Sequence, residues 1–400
     1  MSYTVLARRY RSTSFAEVLG QEAVARTLQN AIATGRVAHA YLFTGTRGVG
    51  KTSMARILAR ALNAPDTIDD CPKSPDYDQY PDKENQQRMA EAIMRGEDLN
   101  VIEIDGASNN SVENARQLIS NASLAPAVNA RYKIYIIDEV HMLSTAAVNA
   151  LLKTMEEPPT HVKFILCTTE SHKVPATIQS RCQRFDFRNI ATAKIAEHLK
   201  SVLKREKIKA DEEVAWQLAR LGNGSMRDAL SLLDRLIVAG EKQLTPTTLE
   251  DMLGLPPQQV IVRLVDALAD GDVAGTLKQT AALLDAGVAQ DQLLDVLIER
   301  LRQLMLVIAC GAESELVELS DDSRKEAAEQ AGKFDAPGLV YMIALCENVQ
   351  RHGKQSSNPR ALLDALVVRL ALAEKMADVT AVLAGTSSGV TQRALPEKKK

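Results

Sequence analysis

The chain has 400 residues, 46% of them hydrophobic and 25% charged, which describes a globular protein long enough for two or three cores. Its 51 acidic and 48 basic residues leave a net charge of −3, which excludes a generic polycation, so any nucleic-acid contact must come from a local basic surface. Five cysteines (Cys71, Cys167, Cys182, Cys310 and Cys346), scattered and without CxxC spacing, exclude a disulfide framework or a thiolate metal cage and fit a reducing, cytoplasmic compartment.

The opening MSYTVLARRYRS has no apolar h-region, and no apolar run in the chain approaches the ~20 residues needed to span a bilayer. Four short runs rich in Ile, Val, Tyr and Phe follow: AYLFTG (40–45), LNVIEID (99–105), YKIYIID (132–138) and VKFILCTT (162–169). Each gives way to a polar turn and a helical pattern, the signature of parallel strands joined by crossover helices, so residues 1–190 are predicted to form a doubly wound α/β domain. Within it, NAPDTIDDCPKSPDYDQYPDKEN (63–85) is rich in proline and aspartate and poor in aliphatics, and is predicted to be an exposed loop within a polar insertion over 63–98. From about Ile190 apolar positions recur at three and four, predicting a small helical lid over 191–254. The Gly and two prolines of GLPPQQ (254–259) end it, and a second all-helical domain is expected over 255–376. The tail, 377–400, is small and polar and ends in lysines, as a flexible end or linker would.

GTRGVGKT, Gly45 to Thr52, matches G-x-x-x-x-G-K-[ST] and lies between a strand and a helix, where a P-loop must lie. In such a loop the backbone N–H groups of Gly45, Thr46, Arg47, Gly48, Val49, Gly50 and the following Lys51, Thr52 and Ser53 face the phosphates of ATP. Lys51 pairs with the β and γ oxygens, Thr52 offers its hydroxyl to Mg²⁺, and the helix N-terminus adds its partial positive charge. IYIIDEVH ends a strand in Asp138 and Glu139. The first carboxylate suits the Mg²⁺ shell, and the second suits polarising a water for attack on the γ-phosphate; small-molecule kinases have no need of it, so a hydrolase is expected. Thr168 and Thr169 end the next strand, where Thr169 can act as a sensor of the γ-phosphate, and Arg227, at a helix start in the lid, can reach back to it.

HAYLFTGTRGVGKTSMARILARALN, IEIDGASNNSVENARQL, the long run from YKIYIIDEVH to SRCQRFDF, and GSMRDALSLLD together resemble the tau/gamma subunit family of bacterial DNA polymerase III, the AAA+ ATPases of the sliding-clamp loader. The resemblance covers roughly residues 3–255 and implies an AAA+ domain, a helical lid and an all-α collar. It also implies a role: an ATPase motor coupling nucleotide binding and hydrolysis to the loading of a sliding clamp on primed DNA, within a DNA-directed DNA polymerase holoenzyme but with no polymerase site of its own. Implied partners are the delta and delta-prime subunits, further copies of this chain, the clamp and primer-template DNA, in the cytoplasm at the replisome. By the same resemblance, the serine-arginine-cysteine of TIQSRCQRF implies that Arg181 completes the active site of an adjacent subunit, and the strip RRYRSTSFAEVLGQE implies that Tyr10, Arg11, Val18 and Leu19 flank the adenine. Cys182 reads as a small hydrophobe and His141 as structural. Helix starts in GASNNSVENAR and LSTAAVNALLK make Ser108, Asn109, Asn110, Thr145 and Asn149 candidate DNA contacts.

Two departures stand out. The family carries a four-cysteine zinc module after the P-loop helix, whereas this chain keeps only Cys71 there, and one thiolate cannot build a tetrahedral site, so no zinc is expected. The sequence also stops at Lys400, short of the extension of tau-like members, so either a gamma-type product or a polymerase tether that lies elsewhere is expected. Two other readings compete: a DNA-remodelling AAA+ motor, disfavoured by the collar-like third domain, and an inactive loader scaffold, disfavoured by intact Lys51, Thr52, Asp138 and Glu139.

Overall fold

A computed structural model describes residues 3–77, 83–108, 125–126, 130–239, 243–353 and 356–373. Five strands, β1 (Ala40–Thr44), β2 (Val101–Asp105), β3 (Lys133–Asp138), β4 (Val162–Thr168) and β5 (Gln183–Asp186), form one parallel sheet in the order β2-β3-β4-β1-β5. Helices α1 (Leu6–Arg9) and α2 (Glu22–Ala33) precede β1, and α3 (Lys51–Asn63) and α4 (Lys83–Arg95) lie between β1 and β2. After β3, α5 (Thr145–Glu156) precedes β4 and α6 (Ala176–Gln179) follows it. The chain then runs through α7 (Thr192–Arg205), α8 (Glu212–Leu221) and α9 (Met226–Val238).

Every residue of β1 and β4 is buried, Lys163 included, which is why these strands read as largely apolar runs and not as alternating ones. Tyr41, Phe43, Ile136, Ile165 and Cys167 join Leu28 and Ile32 of α2 and Met54, Ile57 and Leu58 of α3 in one core. Their neighbours Leu42, Tyr135, Ile137, Phe164 and Leu166 join Val148, Leu151 and Met155 of α5 in another. Fully burying one such side chain stabilises the fold by roughly 1.5–3 kcal/mol, so the two layers hold the sheet and its register firmly. That register sets Thr44 opposite Thr168 and Asp105 opposite Asp138 at the carboxyl ends of the strands.

Two departures from the sequence reading lie in the first 190 residues. β5 was not expected, because only Phe185 of its four residues is buried and Arg184 and Asp186 carry charge. An edge strand with one buried face and charges on the other has no apolar run to betray it. The insertion is also less loop-like than its composition suggests. Pro65 and Ile68 are buried, half-buried Cys71 packs on the α2–α3 core, and α4 buries Met89, Ala90 and Ile93. Polar ties do the rest: the Ala16 N–H donates to Asp70 Oδ2 (2.8 Å), Gln29 Nε2 to the Asp70 carbonyl (2.7 Å) and Arg60 Nε to Thr67 Oγ1 (2.8 Å).

Contacts divide the chain into two units, Met1–Lys209 with Gln217–Lys242, and Ala210–Trp216 with Gln243–Lys400. The first holds the sheet, α7 and α9. The second is helical: α10 (Pro246–Leu253) buries Leu249, and α11 (Gln258–Ala269), α12 (Val273–Asp285), α13 (Gln290–Cys310), α14 (Asp321–Ala331), α15 (Ala336–Gly353) and α16 (Pro359–Ala371) surround a core that includes Leu264, Leu294, Leu301, Leu339 and Leu366. Both α10 and α16 begin with proline after a capping side chain, Thr245 or Asn358, that accepts from the N–H three residues on. Among the described residues no helix is long and apolar enough to cross a membrane. Asn109, Asn110 and the tail 377–400 lie outside the described residues.

Candidate active site

The carboxyl ends of β1, β3 and β4 stand side by side, the position at which open α/β sheets bind their ligands. From β1 the chain makes the loop Gly45–Gly50 and enters α3 at Lys51. Lys51 is 6% exposed, and its Nζ donates to the carbonyls of Gly45 (2.8 Å) and Thr46 (2.7 Å) inside the loop. Burial holds its pKa below the ordinary lysine value, against the opposing pull of Cys167, Glu139 and Asp138. An ammonium met only by carbonyl dipoles is ready for a stronger anionic partner.

One residue further, Thr52 Oγ1 donates to Asp138 Oδ2 at 2.8 Å, so the first turn of α3 and the end of β3 present a hydroxyl and a carboxylate together. The other carboxylate oxygen, Oδ1, accepts from the Glu139 N–H (3.0 Å). Glu139 itself is left-handed (φ 48°, ψ 48°), a costly conformation for a non-glycine residue and one that turns the chain sharply after the strand. Its Oε2 accepts from the Thr169 N–H (3.2 Å) and Thr169 Oγ1 (3.0 Å) at the end of β4. His141, nearly buried, sits behind this pair with Nδ1 2.9 Å from Thr168 Oγ1 and 3.5 Å from Glu139 Oε2. The bend needs Gly106 after β2, because a Cβ there would stand 2.6 Å from the Glu139 carbonyl oxygen.

The lid closes the other side. Ser225 caps α9 by accepting from the Asp228 N–H (3.2 Å), and Thr46 Oγ1 donates to Asn189 Oδ1 (2.6 Å) just before α7. The N-terminal strip crosses to the lid as well: Tyr3 Oη and the Leu6 N–H donate to Asp234 Oδ1 (2.6 and 3.0 Å), and Tyr10 and Arg9 both reach Glu206. Arg11 turns inward, its Nε donating to Ser53 Oγ at 3.1 Å. Burial first, and then the charges of Arg56 and Arg227, pull the Arg11 pKa down to about 10. Arg56 is held by Glu103 (2.7 Å from both Nε and Nη2) and donates to the Met94 carbonyl (2.7 Å).

The loop, Asp138, Glu139, Tyr10, Arg11, Arg56 and Glu103 are among the groups that bound a cleft of about 510 Å³. Of the residues predicted to hold a nucleotide, Arg47 to Ser53, Tyr10, Arg11, Val18 and Leu19 line it, as do Asp138, Glu139 and Arg227, while Gly45 and Thr46 stand behind as acceptors for Lys51. Thr169 touches the cleft only through Glu139. The other candidates lie elsewhere. Arg181, after α6, directs Nη2 to Glu156 Oε1 (2.6 Å) and Nη1 to the Thr177 carbonyl (2.8 Å). Thr145 and Asn149 are exposed on α5, and exposed Ser108 donates to Asp105 Oδ2 (2.9 Å). Burial pushes the Cys182 thiol up to about 12, well out of the nucleophilic range. Sequence reasoning missed Arg56, Glu103, Asn189, Glu206, Ser225 and Asp234, all joined to the site by contacts distant in sequence.

Three family models match in order along the chain. Residues 20–191 match that of the DNA polymerase III delta subunit, 194–242 the clamp loader subunit ATPase lid domain of DNA polymerase III, and 244–384 domain III of DNA polymerase III subunits gamma and tau. DNA polymerase III subunit tau of Bacillus subtilis is 38% identical over 92% of this chain and 63% of its own length. DNA polymerase III subunit gamma of Buchnera aphidicola is 40% identical over 76% of this chain and 80% of its own. Against relatives named tau or tau/gamma, the chain spans from 43% to 63% of their length. Among solved structures, the Holliday junction branch migration motor RuvB of Thermotoga maritima aligns over 80% of this chain and 90% of its own, at 16% identity and a TM-score of 0.45.

Proposed function

Because the chain belongs to the gamma/tau subunit family of DNA polymerase III, we propose that it is an ATP-hydrolysing motor of a clamp loader, working with delta and delta-prime subunits and further copies of itself. One observation carries the reading: Lys51, the Thr52–Asp138 pair and the Glu139–Thr169 pair converge on one cleft at the carboxyl ends of three adjacent strands. In this reading residues 1–190 are the AAA+ domain, 191–254 the lid and 255–376 the collar.

Lys51 exchanges its two carbonyl acceptors for the β and γ oxygens of ATP, a charge-assisted and therefore stronger pairing. The hydroxyl and carboxylate of Thr52 and Asp138 are hard oxygen donors of the kind Mg²⁺ takes. Bound there, the ion supplies neutralisation of charge building on the phosphates. Glu139 takes the proton of the attacking water, and Thr169 fixes the direction of its carboxylate. Val18, Leu19, Ile190 and Leu230 give the cleft an apolar end suited to the base. Arg227 brings the lid to the phosphates, and Arg181, facing away from its own cleft, serves the cleft of a neighbour. Clamp opening on ATP binding, and release on primer-template DNA after hydrolysis, follow from lid and neighbour both reading the γ-phosphate. The working place is the cytoplasm, at the replisome.

The test is ATP turnover by the chain assembled with delta and delta-prime, with and without clamp and primed DNA, in wild type and Arg181→Ala. Clamp and DNA together should accelerate wild-type turnover, and the substitution should abolish that gain while ATP still binds. Turnover indifferent to the clamp would sink the loader reading.

A further inference from the structure

An arginine that acts across a subunit boundary must be held in place by its own subunit, because its long side chain loses ~2 kcal/mol of rotamer freedom when fixed. The chain supplies such a hold. Arg181 is partly exposed, its side chain at 32%, yet its guanidinium is met on two nitrogens: Nη2 by Glu156 Oε1 at 2.6 Å, and Nη1 by the Thr177 carbonyl at 2.8 Å and Ser180 Oγ at 3.4 Å. The Thr177 and Ser180 partners come from the same turn as Arg181, whereas Glu156 is the last residue of α5, a separate helix that precedes β4 in the chain. Glu156 is thus the only one of the three that ties the arginine to a second element of the domain. It also leaves the guanidinium free to act: of the five N–H bonds of an arginine, the Nε–H and one Nη2–H have no partner among these contacts.

We infer that Glu156 is the positioning residue for Arg181, fixing the guanidinium so that its remaining donors face the neighbouring subunit's cleft. The inference rests on the reading of Arg181 as a group acting in trans. A carboxylate this close has a second consequence. It offsets the positive charge of Arg181 until the phosphate of the neighbour, with its larger negative charge, draws on the same guanidinium. Glu156 does not touch the substrate; it acts through the arginine, so its effect appears in kcat and only when Arg181 is present.

The experiment is steady-state ATP turnover by the complex assembled with delta, delta-prime, clamp and primed DNA, comparing wild type, E156A, E156Q, R181A and the double variant R181A/E156A. E156A should lower kcat about 10-fold with KM for ATP unchanged, the size of effect expected from losing one charge-assisted hydrogen bond that orients the arginine in the transition state. E156Q, whose amide oxygen still accepts from Nη2, should keep more of the activity than E156A. In the R181A background E156A should do nothing further. If R181A is slow but E156A turns over like wild type or faster, the positioning role is wrong while the trans arginine stands. If E156A slows the enzyme equally with and without Arg181, Glu156 acts on the fold and the inference fails. If R181A itself behaves as wild type, the reading of Arg181 falls first and the inference with it.

Discussion

Gly48→Ala tests the contact between the P-loop and the lid. Gly48 sits at φ +78°, and a Cβ built on it would lie 1.8 Å from Ser225 Oγ and 3.2 Å from the Cβ of Arg227. Holding alanine in the left-handed region costs ~1–2 kcal/mol. The overlap also forces Ser225, 5% exposed, to turn away, so that the Asp228 N–H loses its cap, a further ~1 kcal/mol. Both costs fall on the arrangement in which loop and lid meet, because the loop or the lid can relax once they part. Keeping that arrangement therefore costs about 2–3 kcal/mol, and the apparent affinity for ATP should fall about 30- to 150-fold at 1.4 kcal/mol per decade. The assay is titration of a fluorescent ATP analogue against the purified chain, for G48A, S225G and the pair. The double variant removes the overlapping atoms and should recover at least part of the loss, leaving the backbone strain. Binding by G48A within twofold of wild type, or a double variant no better than G48A, would refute the proposed coupling of loop and lid.

Three further outcomes follow from other contacts. Asp234→Ala leaves the buried Leu6 N–H and Tyr3 Oη without their shared acceptor and should lower stability by about 2 kcal/mol in urea unfolding, with Asp234→Asn, which keeps Oδ1, losing less. Thr169→Val removes one of two hydrogen bonds to the Glu139 carboxylate; turnover should fall about 10- to 100-fold while nucleotide affinity holds, as measured by single-turnover kinetics beside equilibrium binding. His198 lines the cleft, its Nε2 is buried without a hydrogen-bond partner, and burial, reinforced by Arg205, holds its pKa below the ordinary 6.5. The folded chain then binds fewer protons than the unfolded one as pH falls past 6.5, so stability is lost on acidification through that window and the loss levels off below the folded pKa. Thermal midpoints of wild type and His198→Leu across pH 5 to 8 should show a shallower acid slope in the variant, and parallel slopes would count against this assignment.

What the sequence made legible was what neighbouring residues decide together. The P-loop is one continuous stretch, Asp138 and Glu139 adjoin a strand whose apolar run announces it, and the doubly wound order follows from alternating periodicities. β5 escaped because a single buried residue, Phe185, makes no pattern, and α4 escaped because its three buried apolar residues, Met89, Ala90 and Ile93, are too few in thirteen to stand out from a polar segment. The coupling of the loop and the N-terminal strip to the lid escaped for a deeper reason. It is carried by Thr46 with Asn189, 143 positions apart, by Tyr10 with Glu206, 196 apart, and by Tyr3 with Asp234, 231 apart. Each pair is a polar side chain meeting another across folded space, and even where one member stands in a motif or strip, as Thr46 and Tyr10 do, nothing in the sequence around it names its partner. Yet these contacts tie the loop and the N-terminal strip to the lid that carries Arg227, so a substitution at Asn189, Glu206 or Asp234 should alter the response to nucleotide with every residue of the P-loop and the acidic pair intact. The chemistry is written in motifs, whereas its control is written in contacts that only the fold brings together.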